Sequence, residues 1–193
     1  KGKVYDPSLE HDACGVGFVA STEGKKSRQV VEFGIQALKA VWHRGAVDAD
    51  GKTGDGAGIH IEIPEDFFIQ RIENAGRKHK EGTICVGMIF LPRNDYDAQE
   101  MCRTIIESEL TKNNFNIYGW RQVPVNPSVL GEKAEQTRPE ITQIFFKHNN
   151  KKLKDKELNI SLYETRRIIE KKALSNQLND FYICSFSSKS IIY

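Results

Sequence analysis

The chain has 193 residues, of which 39% are hydrophobic and 28% are charged. This mixture is typical of a globular domain with a packed core, and it excludes an intrinsically disordered chain. A formal net charge of +2 is too close to neutral to indicate binding to nucleic acid or to an anionic membrane surface. No apolar run approaches the roughly 20 residues that cross a bilayer, and residues 1–13 contain no apolar segment typical of a secretory signal.

Both strand-like and helix-like hydrophobic spacings occur along the chain, which predicts an α+β fold. The predicted strands are 14–20, 58–63, 83–91, 115–123, 141–147, 181–186 and 190–193. The predicted helices are 27–42, 64–76, 96–110 and 158–174. Residues 43–57 contain four glycines and three aspartates and are predicted to form a loop.

Three further expectations concern packing and chain ends. The last two strands are expected to pair with each other through a tight turn at residues 187–189. Trp42 and Trp120 are expected to be core aromatics. Because the apolar segment 191–193 ends without a polar cap, we expect the natural polypeptide to continue beyond Tyr193.

The four cysteines are widely spaced and form no CxxC pair, so the spacing of metal ligands is absent. Cys85, Cys102 and Cys184 lie in or near apolar stretches and are predicted to be reduced, buried thiols. A reducing cytoplasm is the simplest location for such a chain.

Cys14 precedes two glycines, Gly15 and Gly17, that would allow a close backbone approach to a substrate. A thiolate is a strong nucleophile, but a cysteine with a pKa of about 8.5 is mostly protonated at neutral pH. Its own α-amino group could accept the proton if Cys14 were the first residue of the mature chain. From these residues alone, a buried structural cysteine remains an alternative.

Two sequence blocks resemble the class II glutamine amidotransferase domain with which glutamate synthase large subunits begin. The first block is Cys-Gly-Val-Gly-Phe-Val-Ala at residues 14–20, and the second runs from His43-Arg44-Gly45-Ala46 to Ile59. Segments 181–185 and 190–193 are also similar to that family. The resemblance implies an N-terminal nucleophile hydrolase fold, a four-layer αββα sandwich of antiparallel sheets that is expected to be incomplete here.

The resemblance also implies a reaction. The cysteine attacks the side-chain amide of glutamine, its α-amine passes the proton to the departing ammonia, and water hydrolyses the resulting thioester to glutamate. In a complete synthase the ammonia reaches a distant flavin site and is used with 2-oxoglutarate to make a second glutamate.

Site roles follow from the same resemblance. Cys14 is expected to be the nucleophile, residues 1–13 to be a propeptide, and residues 14–193 to be the first part of the amidotransferase domain. Arg44 and Gly45 are expected to bind substrate, with the Arg44 guanidinium favouring the thiolate. A structural pairing of Arg44 with Asp48 or Asp50 remains the alternative.

The sequence does not contain recognisable counterparts of the family's oxyanion donors or of most of its glutamine clamp. The family takes its oxyanion donors from an Asn-Gly pair, and no such dipeptide occurs in these 193 residues. We therefore expect those donors and most of the glutamine clamp beyond Tyr193, and little activity from this chain alone. The glycines of 53–58 lack the spacing of a nucleotide-binding loop.

No cofactor or metal is expected in this segment; FMN and an iron–sulfur cluster are expected in later domains. The expected partners are L-glutamine, the remaining domains, and a small subunit or ferredoxin as electron donor. Two other functions stay open. The chain could belong to another class II amidotransferase, such as those of purine, glucosamine or asparagine synthesis. It could also be a non-catalytic assembly domain with the same fold.

Overall fold

The computed structural model describes residues 15–42, 45 and 47–193, which fall into two compact units. We call the described residues up to 59, together with 129–134, the loop unit, and residues 60–128 with 135–193 the sheet unit. The helices are α1 (Arg28–Ala40), α2 (Glu65–Asn74), α3 (Tyr96–Lys112), α4 (Glu132–Thr137) and α5 (Asp155–Ser175). The strands are β1 (His60–Glu62), β2 (Cys85–Leu91), β3 (Phe115–Gln122), β4 (Glu140–His148), β5 (Tyr182–Ser187) and β6 (Ser190–Ile192).

The sheet unit is built around a four-stranded antiparallel sheet with the strand order β3-β4-β2-β5. Strand β2 has the sequence CVGMIFL, and six of its seven residues are buried. A strand without polar residues must be covered on both faces, so β2 lies between β4 and β5 with a hydrophobic core on each side.

One core lies between the sheet and helices α3 and α5. These helices bury apolar residues at helical spacing: Cys102, Ile106, Leu110, Leu158, Leu162 and Ile169. They pack against strand residues such as Ile89, Phe146 and Phe186. The Phe146 ring lies 4.9 Å from the Phe186 ring, centroid to centroid.

The other core covers the opposite face of the sheet and contains Phe68 and Ile72 of α2 with Val86, Met88 and Phe145. Ile191 of β6 is buried in it, and β6 pairs antiparallel with β1 in a second sheet. The layers therefore follow in the order helices α3 and α5, the four-stranded sheet, the second core and the two-stranded sheet. This confirms the α+β class and corresponds to an incomplete αββα sandwich.

Two expected strand features are wrong. Residues 15–20 form no strand, and Val16 and Phe18 are more than nine-tenths exposed. Strands β5 and β6 do not pair with each other, because each belongs to a different sheet. The Ser187 hydroxyl accepts the N–H groups of Lys189 and Ser190, and this turn carries the chain from one sheet to the other.

The two tryptophans also differ from expectation. Trp42 is 74% exposed and lies beyond the end of α1, so it is not a core residue. Trp120 is half-buried and packs against the core between the sheet and helices α3 and α5. Its indole N–H donates to Glu107 at 2.6 Å, and the Arg103 guanidinium lies 4.8 Å from its ring centroid.

Candidate functional site

Helix α1 leads into the loop that carries the second family-like block. The Ser27 hydroxyl accepts the N–H of Gln29 at 3.1 Å and caps the helix at the residue expected from the sequence. A half-buried face of α1 follows helical spacing through Val31, Ile35 and Leu38. On the same side, a side chain at Gly34 would lie only 3.2 Å from Ile59, so the helix lies close to the far end of the loop.

Gly45 closes a tight turn directly after α1. Its N–H donates to the carbonyl of Trp42 at 3.0 Å, and an added Cβ would lie 3.3 Å from that same carbonyl oxygen. The turn expected at Gly45 is therefore present. Cys14 and Arg44 lie outside the described residues, so the roles assigned to these two residues stay predictions, as does substrate binding at Gly45.

Residues 47–54 form a short hairpin, which we call the motif hairpin. Val47 and Gly54 make an antiparallel bridge, and the N–H of Asp48 donates to the carbonyl of Thr53 at 2.7 Å. Gly51 occupies the turn with φ of 70°, a conformation that glycine adopts without a steric penalty.

Asp50 organises the inside of this hairpin. One of its carboxylate oxygens accepts the N–H groups of Lys52 and Thr53, at 2.9 and 2.7 Å, and the other accepts the Thr53 hydroxyl. These hydrogen bonds favour the charged form, with the Thr53 hydroxyl first, and lower the pKa of Asp50 from 3.8 to about 2.

A second segment of the loop unit, residues 129–134, contacts the motif hairpin. The ammonium group of Lys133 lies 2.6 Å from the Asp48 carboxylate. Gly131 is buried, and an added Cβ would lie 2.6 Å from the backbone nitrogen of Thr53. The sequence analysis names neither residue as a site residue, and the segment around them contains no recognisable motif.

The three described thiols are poor nucleophiles. Burial raises the pKa of Cys85 to about 12 and that of Cys102 to about 11. The half-buried thiol of Cys184 also has a pKa raised by desolvation. All three are free cysteines, and a thiol with a raised pKa provides little thiolate at neutral pH.

Two open surface depressions lie in the sheet unit, and neither contains a residue expected at the site. One is lined mainly by the first turns of α5, including Lys156 and Tyr163, and the other by residues 76–80 after α2. In the described part of the chain, no group of three acidic, histidine or cysteine side chains could hold a metal ion. No described helix is long and apolar enough to span a membrane.

Sequence comparison identifies the class of protein to which this α+β chain belongs. The profile of the family described as "Glutamine amidotransferases class-II" matches residues 14–193. The chain belongs to this family.

Three relatives with similar sequences are all named as glutamate synthases. The chain is 57% identical over 190 residues to "Glutamate synthase [NADPH] large chain" of Azospirillum brasilense, a match that covers 98% of this chain. It is 40% identical to "Ferredoxin-dependent glutamate synthase 2" of Synechocystis sp., a match that covers 95% of this chain. It is 36% identical to "Ferredoxin-dependent glutamate synthase, chloroplastic" of Spinacia oleracea, a match that covers 98% of this chain. In each case the chain spans 12% of the relative's length.

Proposed function

We propose that this chain is the glutamine-hydrolysing part of a glutamate synthase, with Cys14 as its nucleophile. The observation that carries the proposal is the family match, which begins at Cys14 and runs through residue 193. The 57% identity to a glutamate synthase large chain favours this enzyme over other class II amidotransferases.

The other thiols support the choice of Cys14. A nucleophilic cysteine needs a neighbour that lowers its pKa, whereas desolvation raises the pKa of Cys85, Cys102 and Cys184. Cys14 precedes two glycines and has its own backbone nitrogen as a base, once that nitrogen is an amine.

The reaction then takes two steps. The Cys14 amine accepts the thiol proton as the sulfur attacks the side-chain amide carbon of glutamine. It then delivers that proton to the amide nitrogen, which leaves as ammonia when the C–N bond breaks. A glutamyl thioester remains on the sulfur. Water then adds to the thioester, the C–S bond breaks, and glutamate and the free thiol are released, so that glutamine and water give glutamate and ammonia.

The proposal assigns further roles. Residues 1–13 are a propeptide, because the Cys14 nitrogen is a non-basic amide while they remain attached. Arg44 favours the thiolate and orients glutamine, and Gly45 provides the turn beside it. The remaining partners are other domains of a longer cytoplasmic polypeptide, which bind FMN and an iron–sulfur cluster. Electrons come from a small subunit or ferredoxin, and the ammonia is combined with 2-oxoglutarate.

A labelling experiment tests the nucleophile. The complete polypeptide would be treated with a glutamine-like diazoketone, with and without residues 1–13, and the modified residue located by mass spectrometry. We expect modification at Cys14 alone, and only when Cys14 is the first residue. Cys102→Ser is the matched control, because removing a buried thiol should leave labelling unchanged.

Two results would contradict the proposal. An unlabelled Cys14 in both forms would make it a structural thiol and the domain an assembly module. Glutamine turnover that survives Cys14→Ala would place the nucleophile elsewhere. For the isolated 193-residue chain we expect little or no turnover.

A further inference from the structure

The motif hairpin is positioned with very little help from hydrophobic packing. Val47 is 57% exposed, and of the residues 47–54 only Thr53 is half-buried, while the others are exposed. A hairpin of this kind depends on polar contacts and on close backbone approach to hold one conformation. We therefore expect its contacts with residues 129–134 to fix the conformation of the motif hairpin.

Gly131 makes the closest of these approaches. An added Cβ would lie 2.6 Å from the Thr53 nitrogen, and closer still to the Thr53 hydroxyl oxygen and to one carboxylate oxygen of Asp50. The Thr53 nitrogen is a backbone atom and already donates to Asp50, so it has no room to withdraw without breaking that bond. Only a residue without a side chain fits here while the hairpin keeps its shape.

Lys133 adds a charged contact two residues further on. Its ammonium group lies 2.6 Å from one carboxylate oxygen of Asp48, whose backbone N–H and C=O groups make the hydrogen bonds that close the hairpin. The positive charge also helps to lower the pKa of Asp50, behind the hydrogen bonds from Thr53 and Lys52. Segment 129–134 thus contacts both ends of the turn at Asp48–Thr53.

We infer that Gly131 and Lys133 are positioning residues for glutamine hydrolysis. They hold the motif hairpin, which belongs to the same family-like block of the sequence, residues 43–59, as Gly45. This inference rests on the proposed function, since it gives a role to residues that act through the proposed substrate-binding loop. It adds a segment more than 70 residues away in the sequence to the machinery of that site.

The test combines kinetics with local amide exchange in the complete polypeptide. For Gly131→Ala we expect the KM for glutamine to rise by about tenfold to a hundredfold, because a shift of about 1 Å in a positioning element has effects of that size. Amide exchange of the peptide covering residues 47–54 should accelerate by a similar factor. The exchange of β2, in the sheet unit, should stay unchanged.

Lys133 is tested by a charge series. Lys133→Met should raise KM by about fivefold or less, because an exposed ion pair contributes little, and Lys133→Arg should restore most of the loss. Two controls keep the comparison local: Glu132→Ala, an exposed neighbour of both residues, and Lys152→Met, an exposed lysine in the sheet unit. Both controls should behave as wild type.

The outcomes separate the inference from the proposed function. Wild-type protein that does not hydrolyse glutamine would overturn the proposed function, and the inference with it. Active wild-type protein combined with unchanged KM in Gly131→Ala would overturn the inference alone. Faster exchange across the whole sheet unit in Gly131→Ala would also overturn it, because the residue would then be a general stability determinant.

Discussion

The two units of the molecule are stabilised in different ways. Every buried hydrophobic residue that the structure describes belongs to the sheet unit, where β2 has a core on each of its faces. In the described part of the loop unit, Phe18 and Trp42 are exposed, and the motif hairpin is held by hydrogen bonds, an ion pair and the close approach of Gly131.

Under the proposed function, this difference separates the residues that stabilise the fold from those that position the substrate-binding loop. A rigid scaffold can tolerate variation on its surface, whereas a substrate-binding loop depends on a few exact backbone positions. Mutations in the sheet unit should therefore change the free energy of unfolding, and mutations around the motif hairpin should change catalysis with little global effect. Three predictions test this comparison, ordered from the largest expected effect.

The largest effect should come from removing a large side chain from the core between the four-stranded sheet and helices α3 and α5. Phe146 is fully buried between Phe115 and Phe186, so Phe146→Ala should lower the free energy of unfolding by about 3–5 kcal/mol. The measurement is the urea midpoint of the 193-residue chain. Phe18→Ala is the matched control: Phe18 is 94% exposed, so the change should stay within about 0.5 kcal/mol. Equal losses in the two variants would show that the units do not differ in packing.

A smaller effect should follow from adding one methyl group to the central strand. An added Cβ at Gly87 would lie 2.8 Å from the Phe186 ring and 2.9 Å from a methyl carbon of Ile144. Both neighbours are buried, so Gly87→Ala should cost about 1–3 kcal/mol of unfolding free energy. Gly56→Ala provides the comparison, because no heavy atom lies within 4 Å of its added Cβ. A wild-type melting temperature for Gly87→Ala would show that Phe186 repacks freely.

The third prediction concerns a buried charge between α3 and α5. Glu109 is only 4% exposed and accepts hydrogen bonds from Lys172 at 2.6 Å and Lys112 at 3.0 Å. The hydrogen bond from Lys172 lowers the pKa of Glu109 below its usual value. Glu109→Gln should cost about 1–2 kcal/mol at neutral pH, because the charge-assisted bonds are lost.

The lowered pKa of Glu109 also determines how its contribution to stability changes with pH. Since the pKa of Glu109 is lower in the folded chain than in the unfolded chain, its contribution is complete above the unfolded pKa of about 4.3. The contribution disappears as the pH falls through the lower folded value. The difference in stability between wild type and Glu109→Gln should therefore narrow below about pH 4. Glu100→Gln, an exposed change on the same helix, is the comparison variant. A constant difference for Glu109→Gln across this pH range would contradict the prediction.

Much of the secondary structure was predictable because it depends on local signals. The Ser27 cap and the spacing of Val31, Ile35 and Leu38 were enough to place α1, and the unbroken apolar run of β2 was enough to place a buried strand. Residues 132–137 were missed as a helix, since their sequence, EKAEQT, has no apolar face to reveal one.

The candidate site was predictable only in part. Motif resemblance drew attention to Cys14, Arg44 and Gly45, and the turn at Gly45 follows from its own sequence neighbourhood. The contact of Gly131 with the hairpin could not be anticipated, because nothing in the local sequence says which distant backbone a glycine will approach. The close approach becomes visible only in the folded chain, where Thr53 and Asp50 lie beside Gly131.

The sequence by itself determined the α+β class, most element positions and the family, because caps, hydrophobic period and short motifs are local properties of the chain. Only the tertiary structure decided that β5 and β6 enter different sheets, that residues 15–20 form no strand, and that segment 129–134 contacts the motif hairpin. Each of these depends on which distant groups compete for the same hydrogen bonds and buried surface. That competition is resolved when the whole chain packs, and no single segment encodes it.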